Sequence, residues 1–371
     1  MARLSWEQVC SFRVRRQQLH ERAPAGRMLE VAARIGGLHA QVLSSAELTL
    51  WARVEGLSRT AVRDALWRDR TLVKIWAMRG TLHLVPSSEY GLWQAALSNY
   101  KHYLQPAWLR RFGMTARLHE RLARAVEAAL KGEVLTRAEL ATAVFRHTKS
   151  AAMREWVLQS WGSMLKPAAY QGRLCFGPSA GQNVRFAGPS SWLGPYEAGD
   201  PEEALREMGR RFLAAHGPAA RNDLARYWHL TSKQAGTLIE ACGAEPLDVE
   251  GEPMWMLPQD LKEASRGKPA RSVRLLPAFD QYVIGASRHA EKLMPGPFRA
   301  RVYRQQGWLS PVLLVDGRME GVWRGERKGK TLSVRIEPFR KLPPAVRRAA
   351  ELEAKRLADH VGAELRLEGV T

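Results

Sequence analysis

A helix–helix–hairpin pattern that recurs three times, a run of short strands near the C-terminus and a final amphipathic helix predict the fold class. It is α+β: three tandem winged-helix (helix-turn-helix) domains, then a small β-domain with a terminal helix. The 371 residues suffice for two or more domains or a row of small ones. Hydrophobic residues make up 45% of the chain, enough to build ordinary cores. The expected boundaries are 1–98 for the first winged helix, 99–196 for linker helices and the second, 197–262 for the third and 263–371 for the β-domain.

The elements are read in order. Ser5 is placed to cap a helix through Val9 and Phe12. A second helix covers Met28–Ile35 and stops at Gly36-Gly37, a strong breaker. Leu38 to Leu43 form the connection to the next helix. That helix is expected to start near Ser44, whose spacing to Glu47 fits a capping box, and to run to Val54. Ser58 caps a helix over Arg59–Asp69. The runs Leu72–Trp76 and Thr81–Val85, around Met78-Arg79-Gly80, read as strand, turn, strand.

The second copy has helices over Thr136–Phe145 and Ala152–Leu165, then two strands within Ala169–Phe186. The Gly-, Ser- and Pro-rich stretch Gly177–Pro195 is its wing and linker. The third starts at Asp200-Pro201, with proline at the first helical position. Short helices over Pro218–Tyr227 and Thr231–Cys242 flank the turn Trp228-His229-Leu230. A hairpin follows around Glu250-Gly251-Glu252. In the tail, Ser272–Leu276, Val312–Val315, Met319–Trp323 and Leu332–Ile336 are strand-like. Asp316-Gly317 is a hairpin turn, and Gly325 to Gly329 is expected to be a second, basic one. Pro343–His360 is helical and Glu364–Leu367 a last strand.

Charge narrows the function. The chain has 57 Lys+Arg against 37 Asp+Glu, a net charge of +20, and a pI near 10.4. Of the 57, 13 are Lys and 44 Arg, and Arg suits bidentate phosphate contacts. A polyanionic partner is expected, and tandem helix-turn-helix units favour DNA over RNA or an anionic membrane surface. The basic turn, with Arg324, Arg327, Lys328 and Lys330, is the expected phosphate or minor-groove contact. Cys10, Cys175 and Cys242 are too few and scattered for a zinc site or a disulfide framework, so no metal is expected. The N-terminus has no apolar signal segment, and no run approaches the roughly 18 apolar residues of a membrane span. A cytoplasmic, nucleoid-associated protein is expected. Without a long heptad segment, so is a monomer.

Catalytic motifs are sparse. There is no Gly-rich phosphate loop, no His-Glu-x-x-His and no nucleophile elbow; Gly162-Ser163 lacks the rest of that motif. His39 and Gln41 lie two residues apart just after the double glycine. By itself such a pair is more often structural than catalytic. Composition and spacing therefore stop at a basic, multi-module winged-helix protein.

The residues also carry a resemblance. Gly37-Leu38-His39-Ala40-Gln41-Val42, and Trp76-Ala77-Met78-Arg79-Gly80-Thr81-Leu82-His83-Leu84-Val85, resemble the AlkZ/YcaQ-like bacterial DNA glycosylases. Leu275-Leu276-Pro277-Ala278-Phe279-Asp280-Gln281-Tyr282-Val283-Ile284-Gly285 is similar to that family's C-terminal signature, and Val315-Asp316-Gly317-Arg318 fits it. The resemblance covers nearly the whole chain. It implies three tandem winged helices cradled by the β-domain, no metal or cofactor, and excision of N7-alkylated purines, with interstrand crosslinks unhooked by some members. The family's catalytic motif is a polar residue, an aliphatic one, then Gln or Asp. Here it reads His39-Ala40-Gln41. The leading His resembles a subgroup linked to bulky natural-product adducts, and Ala40 is smaller than usual.

The expected activity is thus a monofunctional glycosylase acting on duplex DNA that contains alkylated bases. An N7-alkylpurine leaves as a cation already primed to depart through an oxocarbenium-like transition state. A positioned water then suffices. Gln41 would orient it, and His39 would take its proton, because imidazole titrates near neutrality. No lysine lies in the motif, so no Schiff base is expected. Arg79 is expected at phosphate or in the scaffold. Ala40, Trp76, His83 and Asp280 are expected to support the site, Asp280 from a structural position. The competing reading is a non-enzymatic DNA-binding regulator or lesion sensor, which would tolerate loss of His39 and Gln41.

Overall fold

The computed structural model describes residues 1–159 and 162–369. The chain is α+β and gathers into two compact units. One combines residues 1–61 with 209–371, and the other spans 62–208. Among the described residues no helix is long and apolar enough to cross a membrane.

The first unit holds two main sheets. Ala2–Leu4 pairs in parallel with Glu245–Val249, which forms a hairpin with Glu252–Met256. The larger sheet runs in sequence order through Val273–Leu276, Val312–Val315, Arg318–Lys328, Thr331–Pro338 and Glu364–Glu368. Its last pair is parallel because the helix Pro344–Val361 intervenes as a crossover. Asp316 and Gly317 both have left-handed φ, 52° and 81°, as a two-residue hairpin of this twist requires. The helix Trp6–Arg16 buries Trp6, Val9, Phe12 and Val14, and Ser5 caps it in a capping box with Gln8. The helices Arg221–Trp228 and Ser232–Ala241 flank His229, whose left-handed φ of 55° makes the tight turn.

In the second unit the hairpin Leu72–Trp76 and Leu82–Pro86 pairs edge to edge with the hairpin Cys175–Ala180 and Asn183–Ala187. Val134–Thr136 adds beyond it. The rings of Trp76, Phe176 and Phe186 meet over this sheet at centroid separations of 4.7–6.0 Å. The helices Ala116–Ala129, Arg137–Thr148 and Ala151–Leu158 pack successively beside it.

Several expected boundaries shift. The basic turn is shorter than expected. Residues 325–328 belong to the strand Arg318–Lys328, and pairing of Lys328 with Thr331 leaves only Gly329-Lys330 as the loop. Gly329 supplies the left-handed φ, while Gly325 stays extended against Trp323 and Leu332. Ser44 does not cap its helix. The helix Leu43–Trp51 starts one residue earlier, with Val42 at the cap position and no side-chain hydrogen bond. It ends at Trp51 because Val54-Glu55 pair with Ala23-Pro24. The helix expected over 152–165 is Ala151–Leu158, followed by Lys166–Tyr170. Residues 160 and 161 of that expectation, and the last two of the 263–371 domain, lie outside the described residues.

His119 shows how firmly the second unit excludes water. It is buried, stacks on Tyr103 at 4.7 Å and lies 6.1 Å from Trp108. Burial, helped by the nearby Arg173 charge, pushes its imidazole down to about 4 despite Glu120 beside it. The unfolded chain therefore binds this proton first, at about pH 6.5. Stability should fall as pH drops from about 6.5 to about 4. His119→Phe should flatten that part of a pH series of thermal unfolding; an unchanged slope would exclude His119 as its source.

Candidate active site

The site is built where the helix Met28–Arg34 runs out. Gly36 and Gly37 both take left-handed φ, 75° and 78°, and turn the chain sharply. A side chain at Gly36 would come within 3.2 Å of the Tyr227 hydroxyl, so the position is also short of space. Past the turn the backbone extends through Leu38-His39. Leu38 and Ala40 are wholly buried. His39 is buried except for an edge, and Gln41 is exposed. Gln41 thus reaches the surface while Leu38, His39 and Ala40 stay inside.

A second segment, 227–244 residues further along, holds this one in place. The His39 ring stacks on Phe279, with centroids 4.8 Å apart and planes 17° from parallel. The Gln281 Nε2 donates to the Gly37 carbonyl at 2.6 Å, and the Tyr227 hydroxyl donates to Gln281 Oε1 at 3.4 Å. Between them Asp280 caps the short helix Gln281–Gly285 by accepting from the Tyr282 amide. Its two carboxylate oxygens each receive an Arg53 nitrogen at 2.7 Å. Arg53 lies just past the helix Leu43–Trp51 and also donates to the Thr49 carbonyl and to Gln17. Both members of this ion pair have side-chain exposure of 0%.

Phe279 itself has φ 60°. For an aromatic residue that conformation costs about 1–3 kcal/mol and persists only where neighbours over-determine it. Asp280 and Gln281, each tied to a distant residue, supply that constraint. The strain falls on the residue whose face orients His39.

The remaining expected site residues have their own settings. In the first unit Asp280 is structural: fully enclosed, it faces Arg53 rather than His39 or Gln41. In the second unit Trp76 is buried in its ring cluster. His83 is enclosed, its Nδ1 3.2 Å from the Thr81 carbonyl. Arg79 occupies the hairpin turn at φ 59°, half-buried. The four tail cations divide. Arg327 donates to the Val361 and Gly362 carbonyls and closes the C-terminal end of the helix Pro344–Val361. Lys328 pairs with Glu326 at 3.1 Å. Arg324 and Lys330 are exposed and make no ion pair among the described residues. Sequence reasoning missed Arg53, Phe279 and Gln281 as site residues. The last two lie inside the C-terminal signature but carry no titratable group, and Arg53 lies in no motif at all.

This geometry can be set beside known proteins. The family described as "DNA glycosylase AlkZ-like" matches residues 32–360. The chain belongs to that family. An interstrand DNA cross-link repair glycosylase of Streptomyces sahachiroi is 36% identical over 326 residues, covering 86% of this chain and 87% of the relative. The solved structure of Streptomyces sahachiroi DNA glycosylase AlkZ superposes with a TM-score of 0.87 at 35% identity. It covers 99% of this chain and 100% of that one. The AlkZ-like chain described here is therefore a DNA glycosylase, and DNA is its substrate.

In this AlkZ-like enzyme the buried pair sets the rigidity of the site. Arg53→Met leaves the Asp280 charge unpaired in the interior and should cost about 3–5 kcal/mol, whereas the double change to Arg53→Met with Asp280→Leu should recover most of it. Urea unfolding of the two single variants and the double variant measures this coupling. Strictly additive losses would mean that the pair is not the anchor.

Proposed function

We propose that this glycosylase hydrolyses the N-glycosidic bond of cationic N7-alkylated purines in duplex DNA, with water positioned by His39 and Gln41. The observation that carries the reading is the graded burial of three consecutive residues, Ala40 enclosed, His39 nearly so and Gln41 exposed, in a segment pinned by Phe279 and Gln281. A water at the exposed face would accept orientation from the Gln41 amide oxygen and lose its proton to the His39 imidazole. The imidazole is held in plane by Phe279, so little ordering is left for the reaction to do. The leaving purine is already cationic and needs no general acid; neutral bases lack that help, and the site's mild chemistry supplies selectivity. Ala40 supplies no chemistry and contributes a small side chain to the wall behind the pair.

Crosslinks are within the proposed range, because the Streptomyces sahachiroi relative carries interstrand cross-link repair in its name and a crosslinked N7-purine is the same kind of cationic leaving group. We read the three helix–hairpin segments as winged-helix modules with the boundaries 1–98, 99–196 and 197–262, and residues 263–371 as the β-domain. Arg324 and Lys330 are proposed phosphate contacts, and Arg79 is proposed at phosphate or in the scaffold. Arg327 and Lys328, already engaged within the protein, would contribute charge at longer range. The enzyme would work as a monomer at the nucleoid.

The test is release of base from duplexes carrying N7-methylguanine or a bulkier N7 adduct. His39→Ala and Gln41→Ala should each lower single-turnover excision by about 10²–10⁴-fold, the usual worth of such a group, with DNA affinity changed little. Equal loss of binding would make the two residues structural. Unimpaired release in both would move the chemistry elsewhere.

A further inference from the structure

The ring that orients His39 is itself in contact with a third ring. Trp308 meets Phe279 edge to face, with centroids 4.9 Å apart and planes at 76°. His39, Phe279 and Trp308 therefore form a continuous stack leading outward from the catalytic segment. Its outer member is 44% exposed, and among the described residues it is the one exposed tryptophan. Trp6, Trp51, Trp93 and Trp228 are fully buried. The exposed indole leaves apolar area worth about 25 cal/mol per Å² available to a ligand.

The backbone presents Trp308 deliberately. It follows a tight turn in which Gln306 and Gly307 both have left-handed φ, 58° and 76°. The turn is closed by the Arg304 amide donating to the Trp308 carbonyl at 2.9 Å and by the bridge between Tyr303 and Leu309. Left-handed residues thus sit beneath both outer rings, at Phe279 and at Gln306. Arg304, at the base of the same turn, is exposed and makes no ion pair among the described residues. An exposed indole beside an uncommitted guanidinium suits a ligand that is planar, aromatic and attached to a phosphodiester chain.

We propose that Trp308 is a specificity-determining residue: it stacks on the planar aromatic substituent of a bulky N7-purine adduct, while the sugar lies at His39 and Gln41. The proposal rests on the reading of His39 as part of the reacting centre. It gives a large substituent a surface to rest on beyond the reacting centre. The substituent extends along the ring stack toward solvent, and a small adduct such as a methyl group does not reach Trp308 at all.

The test compares the full-length protein with Trp308→Ala and Trp308→Phe. The probes are duplexes containing N7-methylguanine or N7-(naphthylmethyl)guanine, each on a 2′-fluoroarabino sugar that resists hydrolysis, so that affinity is read without turnover. Wild type should bind the naphthylmethyl duplex more tightly than the methyl one. Trp308→Ala should erase about 5- to 100-fold of that preference, the range for one base–aromatic stack. It should change binding of the methyl duplex by no more than roughly twofold, as a surface substitution does. Trp308→Phe should restore most of the preference. No preference in wild type, no change in the variant, or an equal loss on both duplexes would overturn the proposal. Equal loss would assign Trp308 only to bracing Phe279. Excision of the ordinary-sugar duplexes by His39→Ala is measured alongside. Normal excision there would sink the catalytic reading of His39, whereas the Trp308 affinity ratio is judged separately.

Discussion

Arg53 and Asp280 lie wholly out of water, 227 residues apart in sequence and 2.7 Å apart at both pairs of contacting atoms. Two charges so placed are costly unless their lone pairs and protons are answered, and here both terminal guanidinium nitrogens and both carboxylate oxygens are, while Arg53 Nε is left without a partner among the described residues. The guanidinium also reaches Gln17 and the Thr49 carbonyl, and the carboxylate also caps a helix. Much of the first unit's geometry depends on this contact. It ties the end of the helix that follows Gln41 to the start of the helix that follows Phe279. Residues early in the chain and residues near its end thereby become one rigid frame.

Within that frame the proposed catalytic groups are modest, and their setting gives them their meaning. A histidine and a glutamine two residues apart are unremarkable on most surfaces. Here a double glycine turns the chain just ahead of them, burial grades from a nearly enclosed His39 to an exposed Gln41, and a strained phenylalanine stacks on the imidazole. Strain at Phe279 is tolerable because Asp280 and Gln281 on its C-terminal side are each committed to partners elsewhere. Rigidity is bought by the tail segment and used by the N-terminal one, an arrangement suited to a reaction in which positioning matters more than acid–base strength.

The net charge of +20 acts over a longer range. It raises the local concentration of DNA without choosing a base. Individual cations then differ by what they touch inside the protein. Arg327 spends its donors on the end of a helix, and Lys328 faces a carboxylate, while Arg324, Lys330 and Arg304 keep their charge toward solvent. A count of basic residues cannot make that distinction, because it depends on which carbonyl or carboxylate the fold brings within 3 Å or so.

Local signals were legible where the chemistry is local. The cap at Ser5, the breaker at Gly36-Gly37, the Asp316-Gly317 turn and the strand Leu72–Trp76 all follow from a few adjacent residues. The motif residues and the family were likewise written in contiguous stretches. The basic turn is shorter than its composition implies because strand pairing, a non-local interaction, extends Arg318–Lys328 through residues of loop-like composition. The partners of the candidate site have no local signal for the same reason: Arg53 with Asp280, Gln281 with Gly37, and Trp308 with Phe279 are contacts between distant segments. By itself, then, the sequence determined the elements, the charge and the residues available for chemistry. Only the tertiary structure decided which of those residues are buried, paired, strained or presented, because burial and long-range hydrogen bonding are properties of the packed chain and have no period or spacing along it.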